Sequence, residues 1–146
     1  MARKARRAAR VLRLLPAYVT LGVLKRVMPL DALARWAWRP PRFARDPARE
    51  WEIQSDLHAL WRVTPLRDRD CVQRSLLLYR ELSVAGANPT LVAGFKQTGG
   101  RIEGHAWVVV DGKLTGDRPD AIQEFAPAFT FGARGERSIP PDPAAS

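Results

Sequence analysis

The sequence predicts an α+β domain, with helices first and a small antiparallel sheet after them. Three observations carry that prediction. Apolar residues recur at helical spacing from Ala17 to Trp38, along the segment opened by Asp46–Pro47, and from Cys71 to about Ala85. Thr90–Phe95 and Arg101–Val110 then read as strands, and Asp111-Gly112 beyond them is a hairpin signal. At 146 residues the chain is long enough for one domain with a real core and too short for two ordinary ones.

The charge is uneven. Residues 1–45 hold 12 of the 24 Lys and Arg and one acid, Asp31, for +11; the other 101 residues hold 12 bases and 14 acids, for −2. The sequence pI near 10.9 therefore belongs to the N-terminal arm. On composition we expect a basic N-terminal tail over 1–16, a helical extension over 17–45, a main domain over 46–132, and a disordered Pro- and Ala-rich tail over 133–146. A single cysteine forms no internal disulfide, so nothing calls for an oxidising compartment and the cytoplasm is favoured.

MARKARRAAR, with five basic residues in ten, reads as frayed at its start. Three readings compete for it: a solvated tail, a nucleic-acid contact, or a secretory n-region. No aromatic residues interleave with the bases to make a stacking platform, so nucleic acid is not the expected partner. Arg13 and Pro16 count against Val11 to Leu24 as an apolar signal core, and with Lys25 and Arg26 they keep any run short of a membrane span. From Ala17 to Trp38, Val19, Val23, Val27 and Leu30 recur at helical spacing, and Leu33, Ala37 and the Trp36/Trp38 pair follow beyond Pro29. We expect two short helices broken at Met28–Pro29. Their apolar face either covers the core, docks a partner protein, or makes a peripheral membrane contact with Lys25 and Arg26 at its edge. RPPRFARDP follows as a rigid joint.

Asp46–Pro47 starts a helix, the acid as cap and the proline at the first helical position. Ile53, Leu57, Leu60 and Trp61 form its buried stripe, which puts Gln54, His58 and Arg62 on a wet face. His58 has no second ligand at metal-binding spacing, and no metal is expected. After the loop VTPLRDR, Asp70 is expected to cap the helix from Cys71 to about Ala85, and Gly86 to close it in a left-handed conformation. Val72, Leu76, Tyr79 and Leu82, widened by Leu77 and Leu78, supply its core row. Cys71 then stands where unpaired backbone N–H groups and the helix dipole favour an anion. A buried structural cysteine has no need of that place between Arg69 and the helix, so the reactive reading leads.

Asn88–Pro89 turns the chain into Thr90–Phe95, a strand whose continuous apolar run reads as internal. Thr98-Gly-Gly100 is a turn, Arg101–Val110 is the strand that carries His105, and FAPAFTF packs back on the domain. Cys71, His105 and Asp117 thus offer a thiol nucleophile, a base and an orienting carboxylate, the set that performs acyl transfer through a covalent intermediate. Hairpin register decides whether the last two meet. A two-residue turn pairs Val110 with Lys113 and would send His105 and Asp117 to opposite faces. A three-residue turn, Val110-Asp111-Gly112, pairs Val109 with Lys113 and brings His105 opposite Asp117. We expect the second. Asp111, the competing carboxylate, is explained by turn chemistry.

The order Cys71-x-x-Arg-Ser on a helix, then His105-Ala-Trp-Val, Asp111-Gly and Gly116-Asp117, from roughly Leu57 to Asp120, resembles the transglutaminase-like leader peptidases of lasso-peptide biosynthesis. The resemblance implies a transglutaminase-like, papain-like core in residues 46–132, with the catalytic cysteine at a helix N-terminus packed on a small antiparallel sheet. It implies a cysteine protease that removes the leader from a ribosomally made precursor peptide, with Cys71 as nucleophile, His105 as base and Asp117 as orienter, and no cofactor. It also implies two further partners besides the precursor: a separate leader-recognition protein and a macrocyclising enzyme. Another transglutaminase-like acyl transfer, or a basic protein that binds nucleic acid or membrane surfaces, remain the alternatives. For the second oxyanion donor, Gln54 and Gln73 are both open.

Overall fold

The computed structural model describes residues 2–64 and 70–140. The expected loop falls mostly within 65–69, so Arg69 lies outside the described residues, as do the last six residues of the chain. Four helices precede the sheet: α1 (Ala2–Leu24), α2 (Leu30–Ala37), α3 (Pro47–Val63) and α4 (Cys71–Val84). Strands β1 (Thr90–Thr98), β2 (Arg101–Val110) and β3 (Lys113–Thr115) follow, then a short α5 (Pro119–Ile122), β4 (Ala126–Phe131), a 3-10 turn over Ala133–Gly135, and β5 (Arg137–Ser138). The strands form one antiparallel sheet in the order β3-β2-β1-β4-β5. This is an α+β fold, as the sequence predicts.

The basic segment 2–16 is not a frayed tail. It is the first half of α1, which runs unbroken through Pro16. Pro16 is exposed, so the carbonyl that its missing N–H leaves unpaired faces water. The segment is held by α3: Arg10 Nε donates to Asp56 Oδ2 at 2.6 Å, and Arg7 donates to the Ser55 hydroxyl at 3.0 Å. Asp56 is only 5 % exposed, and a carboxylate that buried requires such partners. Further along, α1 buries Leu14, Tyr18 and Leu21, while Val19, Val23 and Val27 face outward. Core cover is therefore excluded for the valine row, while Leu33 and Ala37 of the same expected stretch, on α2, are buried in the core.

α4 is the axis of the core. Leu76, Leu77, Leu78, Tyr79 and Leu82 are buried between α1, α2 and α3 on one side and Leu91, Ala93, Ala106, Val108 and Phe131 of the sheet on the other. Its C-terminus closes as expected. Gly86 has φ +81°, its N–H reaches Ser83 O, and Ala87 N–H reaches Leu82 O, which satisfies the last carbonyls. At the start of α3, Asp46 accepts from Ala48 N–H at 2.9 Å.

The tail expected to be disordered from residue 133 contains β5, which pairs through Thr130↔Ser138 and Phe131↔Arg137. FAPAFTF becomes β4 against β1 despite its proline. Pro127 lies beyond the reach of the two-residue β5, so its missing N–H breaks no bond there.

Candidate functional site

Cys71 is the first residue of α4 and is partly exposed. Asp70 does not cap the helix with its side chain as expected; its carboxylate pairs with Lys25 Nζ at the end of α1. That ion pair ties α1 to the first turn of α4, and the Asp70 carboxylate is drawn away from the N–H groups around Cys71. Two further bonds fix α4 in place. Gln73 Nε2 donates to Tyr18 O at 2.6 Å, and Ser75 Oγ donates to Ala106 O at 2.8 Å. The second is direct bracing of the site, since Ser75 is one turn beyond Cys71 and Ala106 adjoins His105. Deeper along α4, burial pushes the Tyr79 hydroxyl up to about 12, so it remains a donor to Gly132 O.

The hairpin register differs from the expectation. Val110 pairs with Lys113, Val109 with Leu114 and Val108 with Thr115, a two-residue turn in which Asp111 (φ +51°) and Gly112 (φ +73°) are both left-handed. His105 and Asp117 nevertheless meet. His105 Nε2–H donates to Asp117 Oδ2 at 2.9 Å. The ladder ends at Thr115, and Gly116 at φ +76° turns the chain, so strand alternation no longer governs where Asp117 points. Glycine is required there on a second count: a Cβ would lie 2.5 Å from Leu78 Cδ2, in the core of α4. Asp117 Oδ1 accepts from Arg118 N–H at 2.9 Å, which fixes the carboxylate. Asp111 is held elsewhere, its Oδ2 2.6 Å from Arg45 Nη2, and that guanidinium keeps its carboxyl below the usual value.

Cys71, His105 and Asp117 line a single pocket of about 170 Å³, together with Trp61, Arg74 and Trp107. The imidazole is half-buried, its centroid 5.1 Å from that of Phe125 and 6.1 Å from that of Trp107. The Arg74 guanidinium stands 4.2 Å from the Trp61 ring centroid. Neither Gln54 nor Gln73 is among the pocket's lining residues, and His58 is an exposed residue of α3. The sequence reading overlooked Trp61 and Arg74 as wall residues, although Arg74 stands one turn from Cys71 in the motif that carries the resemblance. It also missed Gly116, whose signal was the Gly-Asp pair directly after a strand. With His105 Nε2 committed to Asp117, Nδ1 is the nitrogen available to exchange a proton. A thiol, an oriented imidazole and first-turn amides can together carry nucleophilic acyl transfer.

Residues 3–130 match the sequence model of the Transglutaminase-like superfamily. No curated protein and no solved structure gives a significant match.

Proposed function

We infer that this chain, which belongs to the Transglutaminase-like superfamily, is a cysteine peptidase that removes the leader from a lasso-peptide precursor before a separate enzyme closes the macrocycle. Members of the superfamily are often cysteine peptidases or acyltransferases. One observation carries the reading: His105 is bonded to Asp117 at 2.9 Å in the pocket that Cys71 also lines.

In this mechanism the Cys71 sulfur attacks the scissile carbonyl, and the Cys71 N–H stabilises the oxyanion. His105 takes up the thiol proton and returns it to the leaving amine as the C–N bond breaks. A water, deprotonated by His105, then cleaves the thioester and frees the new carboxylate. Asp117 holds the ring in one tautomer throughout. The lasso-peptide assignment is supported by the ordered Cys71, His105, Gly116-Asp117 pattern, and it makes the precursor leader, a leader-recognition protein and the cyclase the partners.

The test mixes the protein with a candidate lasso-peptide precursor, with and without a candidate recognition protein, and reads masses. Separate leader and core peptides are expected. An amide formed with an added amine would assign the chain to acyl transfer instead. Cys71 should also label with iodoacetamide near neutral pH, and an inert thiol in folded protein would remove both enzyme readings.

A further inference from the structure

We propose that the groove between the first turns of α1 and the N-terminal half of α3 is a secondary substrate site for an acidic segment of the peptide, about five to eight residues from the scissile bond. The proposal rests on the peptidase reading above. The groove has a volume of about 850 Å³ and is lined by Arg3, Lys4, Arg6 and Trp51, together with Arg7, Arg10 and one acid, Glu52. Asp56 and Ser55 engage Arg7 and Arg10, and Glu52 lies 4.0 Å from Arg10, so the groove's acids are directed at those two arginines. Among the described residues Arg3, Lys4 and Arg6 make no hydrogen bond or ion pair. Beside them Trp51 is 67 % exposed. Three uncompensated cations around an open indole call for a ligand that brings carboxylates and some apolar surface. No acid precedes Asp31 in the chain to supply them from α1.

Place selects the ligand class. Trp51 and Trp61 lie ten residues apart on α3, roughly 15 Å, and Trp61 walls the Cys71 pocket. Lys25, the residue after α1, is anchored to Asp70 beside Cys71, and Arg6 lies nineteen residues back, roughly 28 Å. An extended chain spans about 3.3–3.6 Å per residue, so five to eight residues bridge the gap. His58 and Arg62, exposed on the same side of α3 as Trp51, mark the route between. A groove on the helix whose far end walls the Cys71 pocket fits an extended peptide better than a flat bilayer.

The test uses full-length protein carrying Cys71→Ala and a fluorescein-labelled peptide with four Asp or Glu residues around one Leu, set against its Asn/Gln counterpart, by anisotropy. The acidic peptide should bind more tightly, lose affinity as salt rises, and weaken about tenfold when Arg3, Lys4 and Arg6 are all changed to Glu. Circular dichroism checks that variant, and Lys4→Glu alone, with about a twofold loss expected, replaces it if it does not fold. In Cys71-containing protein the same reversal should raise KM for substrates with the acidic segment at the stated distance and leave kcat unchanged. Equal binding of the two peptides, or affinity indifferent to the charge reversal, would overturn the proposal. So would binding to phosphatidylglycerol vesicles without binding to the peptide, which would assign the groove to a lipid surface. Groove-dependent peptide binding with no cleavage of any substrate would uphold the acidic-peptide site and remove the peptidase reading.

Discussion

Gly116→Ala and Gly112→Ala are a matched pair of substitutions that separate the site from its hairpin. Both glycines are left-handed, at φ +76° and +73°, so each alanine incurs about 1 kcal/mol of backbone strain. They differ in surroundings. A Cβ at Gly112 meets nothing within 4 Å, whereas at Gly116 it lies 2.5 Å from Leu78 Cδ2. Leu78 is 2 % exposed and cannot swing into solvent, so Gly116→Ala adds an overpacking penalty of about 1–3 kcal/mol. The total is about 2–4 kcal/mol against about 1 for Gly112→Ala. Relief comes by moving the chain at Gly116, and the next residue is Asp117. A displacement on the order of 1 Å there should lower turnover about 10²-fold. Denaturant unfolding gives the stability difference, precursor cleavage followed by mass gives turnover, and the nitrogen shifts of His105 show whether its tautomer is still fixed. Full turnover in Gly116→Ala, or equal losses in both variants, would refute the claim that this glycine sets the Asp117 position.

Other consequences are nearer to the packing. Ser75→Ala leaves the Ala106 carbonyl without its donor between α4 and β2 and should destabilise by about 1–3 kcal/mol, read by chemical denaturation, with turnover falling alongside. Arg10→Ala strips the buried Asp56 of its closest partner; with Arg10 itself 40 % exposed, a loss of about 1–2 kcal/mol is expected by the same measurement. Burial holds the Glu81 carboxyl above its usual value, against the opposing pull of Arg13 and Arg80. The folded state then keeps a proton that the unfolded chain releases, so stability falls as pH rises above about 4.5. Glu81→Gln should raise Tm at pH 7, with the gain vanishing below pH of about 4.

Much of the framework was legible because local chemistry decides it. Asp46–Pro47 caps α3, Gly86 closes α4, and Arg101–Val110 is a strand with Asp111-Gly112 as its turn. Cys71 at the start of α4 was legible for the same reason. What escaped depends on distant partners. α1 extends through the basic segment because Ser55 and Asp56, some fifty residues on, hold Arg7 and Arg10; Asp70 leaves its cap for Lys25; β5 exists only because β4 offers an edge. The hairpin turn differs from the expected one for a related reason: strand alternation stops at Thr115, where Gly116 turns the chain.

The central claim is that Cys71, His105 and Asp117 work as one unit, and the most direct measurement is single-turnover cleavage of the precursor by Cys71→Ala, His105→Ala and the double variant, each first shown to be folded. Residues that act together lose their effect together, so the two single variants and the double should be equally inactive, and quenched Cys71-containing protein should carry a thioester on Cys71. Cleavage by folded Cys71→Ala at the unsubstituted rate, with no adduct on Cys71, would contradict the account.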